Sequence, residues 1–356
     1  MARSGGFLRA FLASALGTGL SRVLGLVRDV ALSNALGAGA LNDAFQLAFT
    51  MPNAFRRFVA DEGLTGALIP TLADAEGKEG AERARTLAQA AFTALMLVCV
   101  VVSGIGIVWA EGLVWLFAAP SWRADPALNQ LAISLTRIMM PLLLMVSATS
   151  FFEALLNLRG HFFVPKIAPG LISAGIVGGL VFLTRAGQDP VYAASWGVVI
   201  GGVLHVAINI PWVLKLWGVV APSFAWRRPR MALLLREMGK VALIGLAAQA
   251  NLLVIRQLAT SIEVGSLTQY WYANRLIDLA QGIIAVAVGS ALLPVVARAV
   301  VDEDWPGFRR AMNGALRLLA FVLLPSAVVI GFFSTPLVAV LFRHGDFSWQ
   351  ATQATA

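Results

Sequence analysis

Long apolar stretches of about 20 residues recur along almost the whole chain. An α-helix rises 1.5 Å per residue, so about 20 apolar residues cross the roughly 30 Å hydrocarbon core of a bilayer. The pattern predicts nine such spans, near 10–36, 41–73, 87–110, 131–157, 167–185, 191–217, 240–262, 267–300 and 311–333. It therefore predicts an all-α polytopic transmembrane helix bundle.

The composition excludes the other broad classes of protein. The chain is 58% hydrophobic and 13% charged, with a mean hydropathy of +0.78, whereas a soluble domain has about a quarter of its residues charged. The single cysteine, Cys99, cannot form an internal disulfide. In a membrane protein the position of the +8 net charge matters more than its size, so we expect no nucleic-acid partner.

The basic residues are distributed unequally between the two predicted sides of the membrane. A cytoplasmic N-terminus places seventeen of them inside and four outside, the four being Arg123, Arg137, Arg185 and Arg343. Cytoplasmic loops carry the excess of Lys and Arg, so this orientation is predicted. The first apolar run continues directly into SRVLGLVRDVAL, which favours an uncleaved first helix over a signal peptide.

An internal repeat divides the chain. The sequence GALIPTLA at 66–73 returns as SALLPVVA at 290–297, and six predicted spans separate the two copies. An even number of spans gives the copies the same orientation, which predicts two pseudo-repeated lobes, 1–222 with six helices and 225–356 with about three. A complete second lobe would run to about residue 445, so we expect the sequence to be truncated at its C-terminus.

Arginine is unusually frequent inside the predicted spans. An unpaired arginine at mid-bilayer costs about 2.5–3.5 kcal/mol, so these side chains must face protein, water or one another. The residues concerned are Arg22, Arg28, Arg56, Arg57, Arg256 and Arg275.

Two interpretations of these arginines are open. They could form interhelical ion pairs, Arg22 or Arg28 with Asp29 or Asp43 and Arg275 with Asp278, with Arg57 and Arg256 extending towards the interface. Acidic residues in the spans are fewer than the arginines, which favours a wet cavity that binds an anion. The planar guanidinium binds phosphate bidentately, so the excess predicts a phosphate-bearing substrate.

Four motifs resemble one family. SRVLGLVRD at 21–29, LNDAF at 41–45, MPNAFRRFVADEG at 51–63 and YANRLID at 272–278 are similar to the MurJ/MviN family of lipid II flippases, within the multidrug/oligosaccharidyl-lipid/polysaccharide exporter superfamily. The resemblance implies a bacterial cytoplasmic membrane protein with two six-helix lobes around a central cavity, and two later helices that form a groove for the lipid tail. It implies lipid II, membrane lipids and cell-wall synthesis proteins as partners.

The resemblance also assigns roles to residues of this chain. It makes Arg22, Arg28, Arg56 and Arg275 the cavity arginines that engage the diphosphate and its sugars. It makes Asp29 and Asp43 the acids that hold or gate them, with Asp61 at the acidic position of an EG motif and Glu62 as its rival. Ser21 shares one stripe of the first helix with Gly25 and Arg28, where small residues allow close approach.

The seventh predicted helix departs from the family pattern. Many relatives have an aspartate before its arginine, as part of a proposed sodium site, whereas this chain has Ile255 there. We therefore expect no cofactor, and the sequence does not support sodium coupling at this position.

Other functions fit the sequence less well. His161, His205 and His344 are scattered, and HExxH, CxxC and Gly-x-Ser-x-Gly are absent from the sequence, so we predict no metal site and no enzyme. His205 is interpreted as a helix–helix hydrogen-bonding residue. The alternative function is export of another lipid-linked oligosaccharide or of drugs, although a cationic drug would require a cavity rich in Asp and Glu.

Overall fold

The computed structural model describes residues 2–56, 68–226, 229–278 and 302–356, together with 292, 296 and 299–300. These residues are helical apart from short turns, and no strand occurs among them. The prediction of an all-α bundle is confirmed.

The helices follow one another with short connections. They are α1 (Ala2–Leu36), α2 (Ala40–Arg56), α3 (Ile69–Glu79), α4 (Ala81–Val108), α5 (Ala110–Phe117), α6 (Pro120–Arg123), α7 (Pro126–Met139), α8 (Leu142–Leu158), α9 (Phe163–Ile167), α10 (Gly170–Gly178), α11 (Pro190–Trp217), α12 (Pro229–Ile262), α13 (266–278), α14 (Trp305–Phe342) and α15 (Trp349–Thr355). A π-helical segment, Gly179–Leu183, continues α10.

Four helical stretches of the described chain are long and apolar enough to cross a membrane. They are α4, α7 with α8, α11 and α14. A shorter apolar helix, Gly170–Leu183, accompanies them. The multi-pass architecture predicted from the sequence therefore holds, although 57–67 and most of 279–298, including the second copy of the repeat, lie outside the described residues.

The last predicted span ended too early. It was placed at 311–333, whereas α14 continues to Phe342 through a kink at Phe333, where φ is −113° and ψ is 20°. Pro336 explains the kink, because its ring collides with the carbonyl group four residues earlier and removes a helical hydrogen bond. The helix resumes beyond the kink.

Ion pairs connect the loops at one end of the bundle, which we call the basic end. Arg230, at the start of α12, pairs with Glu79 and donates from Nη1 to Asp74 Oδ2 over 2.8 Å. Arg159, after α8, pairs with Glu76 over 2.8 Å. Hydrogen bonds of Asp74 with Lys78 and Arg230 hold the pKa of this carboxyl below its usual range.

Backbone contacts close the opposite end. The amide of Asp346 donates to the carbonyl oxygen of Asn34 over 3.1 Å. Gly37 has φ of 61°, and a Cβ there would lie 2.6 Å from Asp346 O, so only glycine fits this turn. A Cβ at Gly265 would lie 2.7 Å from Ala38 O. The turn after α1 therefore contacts the turns before α13 and after α14.

Glycines bring α10 and α11 into backbone contact. A Cβ on Gly175 would lie 2.5 Å from both Gly197 O and Gly201 Cα. A Cβ on Gly201 would lie 2.6 Å from Ile172 Cα. Small residues of this kind let transmembrane helices approach closely enough for backbone packing.

Candidate functional site

A buried carboxylate between α1 and α13 forms the centre of the candidate site. Asp29 Oδ1 accepts from Arg28 Nε over 2.9 Å and from Arg28 Nη2 over 2.7 Å. Asp29 Oδ2 lies 2.8 Å from Arg275 Nε. The angle of this second contact is not that of a hydrogen bond, so it is an ion pair. Two guanidinium groups therefore share one carboxylate, and the three groups carry one net positive charge.

The two arginines are more accessible than the acid that holds them. The side chain of Asp29 is 0% exposed, whereas those of Arg28 and Arg275 are 11% and 21% exposed. A guanidinium has five N–H donors, and the hydrogen bonds of Arg28 to Asp29 occupy two nitrogens. The site thus presents partly solvated guanidinium edges and conceals its negative charge.

Helix α1 has no side chain where Arg275 approaches it. A Cβ on the buried Gly25 would overlap Nη2 of Arg275 and lie 3.2 Å from its Cζ. The guanidinium group of Arg28, on the same helix, lies 5.7 Å from the centre of the Phe49 ring of α2. Glycine at position 25 therefore gives Arg275 the room to reach Asp29.

A second arginine of α1 contacts the end of α13. Arg22 Nη1 donates to the backbone oxygen of Asp278 over 3.0 Å. Position 29 of α1 meets position 275 of α13, and position 22 meets position 278, so the two helices run antiparallel. Arg22 and Arg28 are six residues apart, which is about 9 Å along a helix. Three of the four predicted substrate arginines therefore line the α1–α13 contact.

Asp43 joins α2 to the beginning of α13. Its Oδ2 accepts from the Gly265 amide over 2.6 Å, and its Oδ1 accepts from the amide and hydroxyl of Thr268 over 2.8 and 2.6 Å. Asn42 Nδ2 donates to the Tyr272 hydroxyl over 3.0 Å. An acid in this position satisfies the amides that the first turn of α13 leaves without helical partners. Asp43 thus fastens the closed end of the bundle.

The ion pairs differ in detail from those expected. Arg28 does pair with Asp29, but Arg275 pairs with Asp29 of another helix instead of Asp278 of its own helix. The described contacts of Asp43 are with Gly265 and Thr268, and no arginine is among them. The sequence missed Thr268 because it lies 225 residues from Asp43 and no motif spacing relates the two.

The remaining predicted residues lie apart from this cluster. Arg56 is the half-buried last residue of α2, about 10 Å along the helix from Phe49. Ser21 lies where α1 meets α10, since a Cβ on Gly170 would be 3.2 Å from Ser21 Cα. Asp61 lies outside the described residues, as do its rival and neighbour Glu62 and the arginine at position 57.

Ile255 lies on α12 beside an arginine in an aromatic environment. The guanidinium group of Arg256 lies 5.9 Å from the centre of the Tyr270 ring and 5.4 Å from that of Trp271. An isoleucine side chain has no oxygen with which to bind sodium.

The sequence is similar to those of known flippases. The family model described as "Lipid II flippase MurJ" matches residues 32–356. The lipid II flippase MurJ of Burkholderia cenocepacia is 33% identical over 343 residues, covering 95% of this chain and 66% of the relative. The probable lipid II flippase MurJ of Rhizobium meliloti is 30% identical over 339 residues, covering 93% and 62%. The chain spans just under two thirds of the length of these two relatives.

Solved structures show the same fold. A structure of the lipid II flippase MurJ in an inward closed conformation superposes with a TM-score of 0.80 at 22% identity, covering 97% of this chain and 70% of that one. An inward-facing MATE family multidrug resistance transporter of the MOP superfamily superposes with a TM-score of 0.74 at 15% identity, covering 94% and 75%. At these identities the likeness concerns the fold alone. Because the family model matches far more than half of the sequence, the chain belongs to the MurJ family of membrane transporters.

Proposed function

We propose that this chain moves lipid II, the undecaprenyl-diphosphate-linked peptidoglycan precursor, from the cytoplasmic to the outer leaflet of the bacterial cytoplasmic membrane. The observation that carries the proposal is the pair of partly accessible arginines, Arg28 and Arg275, that share the buried Asp29. A site with one positive charge in excess at membrane depth is stabilised by an anion, and a diphosphate supplies it.

The geometry suggests how the diphosphate is held. Arg22 and Arg28 lie on α1, in the first predicted lobe, and Arg275 lies on α13, in the second. A phosphate group between the two helices binds guanidinium N–H groups of both, each in the bidentate geometry that arginine favours. Arg56 supplies a further guanidinium at the end of α2. Rocking of one lobe against the other then carries the bound diphosphate from one side to the other.

The two ends of the bundle support one orientation in the membrane. The basic end contains the Arg159 and Arg230 ion pairs, and the opposite end is fastened by Asp43 and the backbone of Asn34. We infer that the basic end, with the N-terminus, faces the cytoplasm, in line with the excess of basic residues in cytoplasmic loops. In this conformation the substrate enters from the cytoplasmic side.

The test uses a bacterial strain depleted of its own lipid II flippase. We expect the full-length gene that contains this sequence to restore growth and cell shape, and Arg28→Ala and Arg275→Ala in that gene to abolish the rescue at equal membrane levels. Arg83→Ala is the matched control, because the Arg83 side chain is 67% exposed on α4 and its ion pair is 4.0 Å long. Wild-type growth of the strains that carry Arg28→Ala and Arg275→Ala would contradict the proposal.

Two further measurements refine the test. Arg28→Lys keeps the charge but loses the two nitrogens that bind Asp29 Oδ1, so we expect it to rescue poorly. Export of a cationic dye without rescue of the depleted strain would instead support a drug exporter of the same fold.

A further inference from the structure

A second polar group lies inside the first lobe, between α8 and α11. Glu153 Oε1 lies 3.9 Å from His205 Nε2. The side chain of His205 is 3% exposed and that of Glu153 is 22% exposed. Asn209, one turn after His205, is fully buried and donates from Nδ2 to the His205 backbone oxygen over 2.9 Å. The arginine cluster shares none of these residues.

Several polar atoms of this group lack hydrogen bonds. Within the described part of the chain, neither ring nitrogen of His205 has a hydrogen-bond partner, and neither does Asn209 Oδ1. The interpretation of His205 as a helix–helix hydrogen-bonding residue is therefore wrong for its ring. Buried polar atoms are almost always hydrogen-bonded, so these unpaired atoms point to a missing partner.

The group lies deep within its helix. His205 is fifteen residues after Pro190 and twelve before Trp217, the two ends of α11, which places it roughly 18–22 Å from either end. Ionisable residues at such depth are functional candidates by default. Histidine is also the side chain whose charge changes most readily near neutral pH.

Other charged groups near α11 are engaged elsewhere or lie near its ends. Arg159 pairs with Glu76 and stacks on Trp217, and Lys215 lies over the Trp212 ring. The segment 170–183 has no ionisable residue. The other helices in contact with α11 and α8 carry further ionisable residues, and the described ion pairs join none of these to Glu153 or His205. They are Arg22, Arg28 and Asp29 of α1, Asp43 and Arg56 of α2, the exposed Arg137, Lys166 and the charged residues of α3 (Asp74, Glu76, Lys78 and Glu79) at the basic end, Glu82, Arg83 and Arg85 in the first turns of α4, and the buried thiol of Cys99. Among the described ion pairs, Glu153 is the acid that reaches His205.

We propose that Glu153 and His205 together bind one proton in the interior of the first lobe. With a neutral imidazole the pair has a net charge of −1, and among the described ion pairs none gives the Glu153 carboxylate another counter-charge. When a proton adds to the ring, the pair becomes neutral. The resulting imidazolium has two N–H donors. Glu153 Oε1 is the acceptor beside Nε2, and Asn209, one turn later on the same helix, carries a second unpaired acceptor oxygen.

Proton binding is measured directly on the purified protein in lipid nanodiscs, with ¹⁵N-labelled histidine. The ring signals of the three histidines in this sequence are followed from about pH 5 to pH 8, the range in which histidine titrates. His205→Gln assigns the signal of His205. We expect Glu153→Gln to change the pH dependence of the His205 signal, because the carboxylate 3.9 Å from Nε2 is then replaced by a neutral amide.

His161→Gln is the matched control, since His161 contacts Trp212 near the end of α11 and should leave the His205 titration unchanged. The Glu153→Gln variant retains the ring under observation, so the test does not depend on His205→Gln being folded. An unchanged His205 titration in Glu153→Gln would overturn the proposal. A ring signal that responds to sodium at fixed pH and not to pH would overturn it as well. Neither readout involves lipid II, so the proposed transport function stands or fails separately.

Discussion

Gly25→Ala separates the position of Arg275 from its charge. The substitution leaves every ionisable group of the site in place and adds one methyl group. That methyl group would overlap Arg275 Nη2 and lie 3.2 Å from Cζ, so the guanidinium group must move. Carbon and nitrogen atoms pack at about 3.5 Å or more, which requires a displacement of about 1 Å or more.

The displacement acts on the ion pair with Asp29. The Arg275 Nε to Asp29 Oδ2 distance is 2.8 Å, and a shift of about 1 Å away from α1 opens it towards the limit of an ion pair. Hydrogen bonds to a charged group contribute about 1.5–3 kcal/mol, and a displaced guanidinium would lose those that it donates to the diphosphate. If the diphosphate requires Arg275 in its present position, binding or transport should fall between about 10-fold and 150-fold.

The assay compares Gly25→Ala with Gly19→Ala in the flippase-depleted strain and in binding of lipid II to purified protein. Gly19 lies on the same helix, and a Cβ there would meet no described atom within 4 Å. Alanine favours a helix over glycine by about 1 kcal/mol in both variants, so helix propensity does not account for a difference in activity between them. Equal activity of the two variants at equal membrane levels would refute the reasoning.

Two further outcomes follow from contacts elsewhere in the molecule. Gly175→Val should lower the thermal unfolding midpoint measured by fluorescence, because its side chain would overlap the backbone of α11, whereas Gly104→Val, with no described atom within 4 Å of its Cβ, should not. Hydrogen bonds with Lys78 and Arg230 lower the pKa of Asp74, so their stabilisation is present at neutral pH and is lost as the pH falls through the lowered value. Arg230→Ala should raise the pKa of Asp74 towards its ordinary value of 3.8, measured by NMR of ¹³C-labelled aspartate, and an unchanged titration would contradict the assignment.

The sequence could predict which arginines of the membrane spans belong to the site. The cost of burying arginine singled out Arg28 and Arg275, and the structure brings them together. The acid that they share was not predictable, because both Asp29 and Asp43 lie on spans and their partners depend on helix packing. Only the folded chain shows that Asp43 binds Thr268.

Hydropathy also failed to locate the ends of two helices. The apolar pattern predicted that α14 ends at residue 333, which is the site of its kink. A local sequence pattern does not distinguish a kink within a helix from the end of the helix. The start of α12 at Pro229 was missed by eleven residues, since its first turns contain charged side chains. His205 was assigned a hydrogen bond because buried histidines usually have one, and the absence of such a bond in the described structure is visible only from the packing of α8 and α11.

The backbone contact between α10 and α11 has a mechanical consequence. Side chains that change rotamer can absorb small displacements between helices, but the Gly175–Gly201 contact has no such side chains. Helix α1 also approaches α10 closely at Gly170, where a Cβ would lie 2.7 Å from Leu24 Cδ1 and 3.2 Å from Ser21 Cα. The α10–α11 contact therefore resists small shifts more than the α1–α10 contact, in which the Leu24 side chain can adjust. Bending is then expected where a helical ladder is interrupted, as in α14 at Phe333 before Pro336.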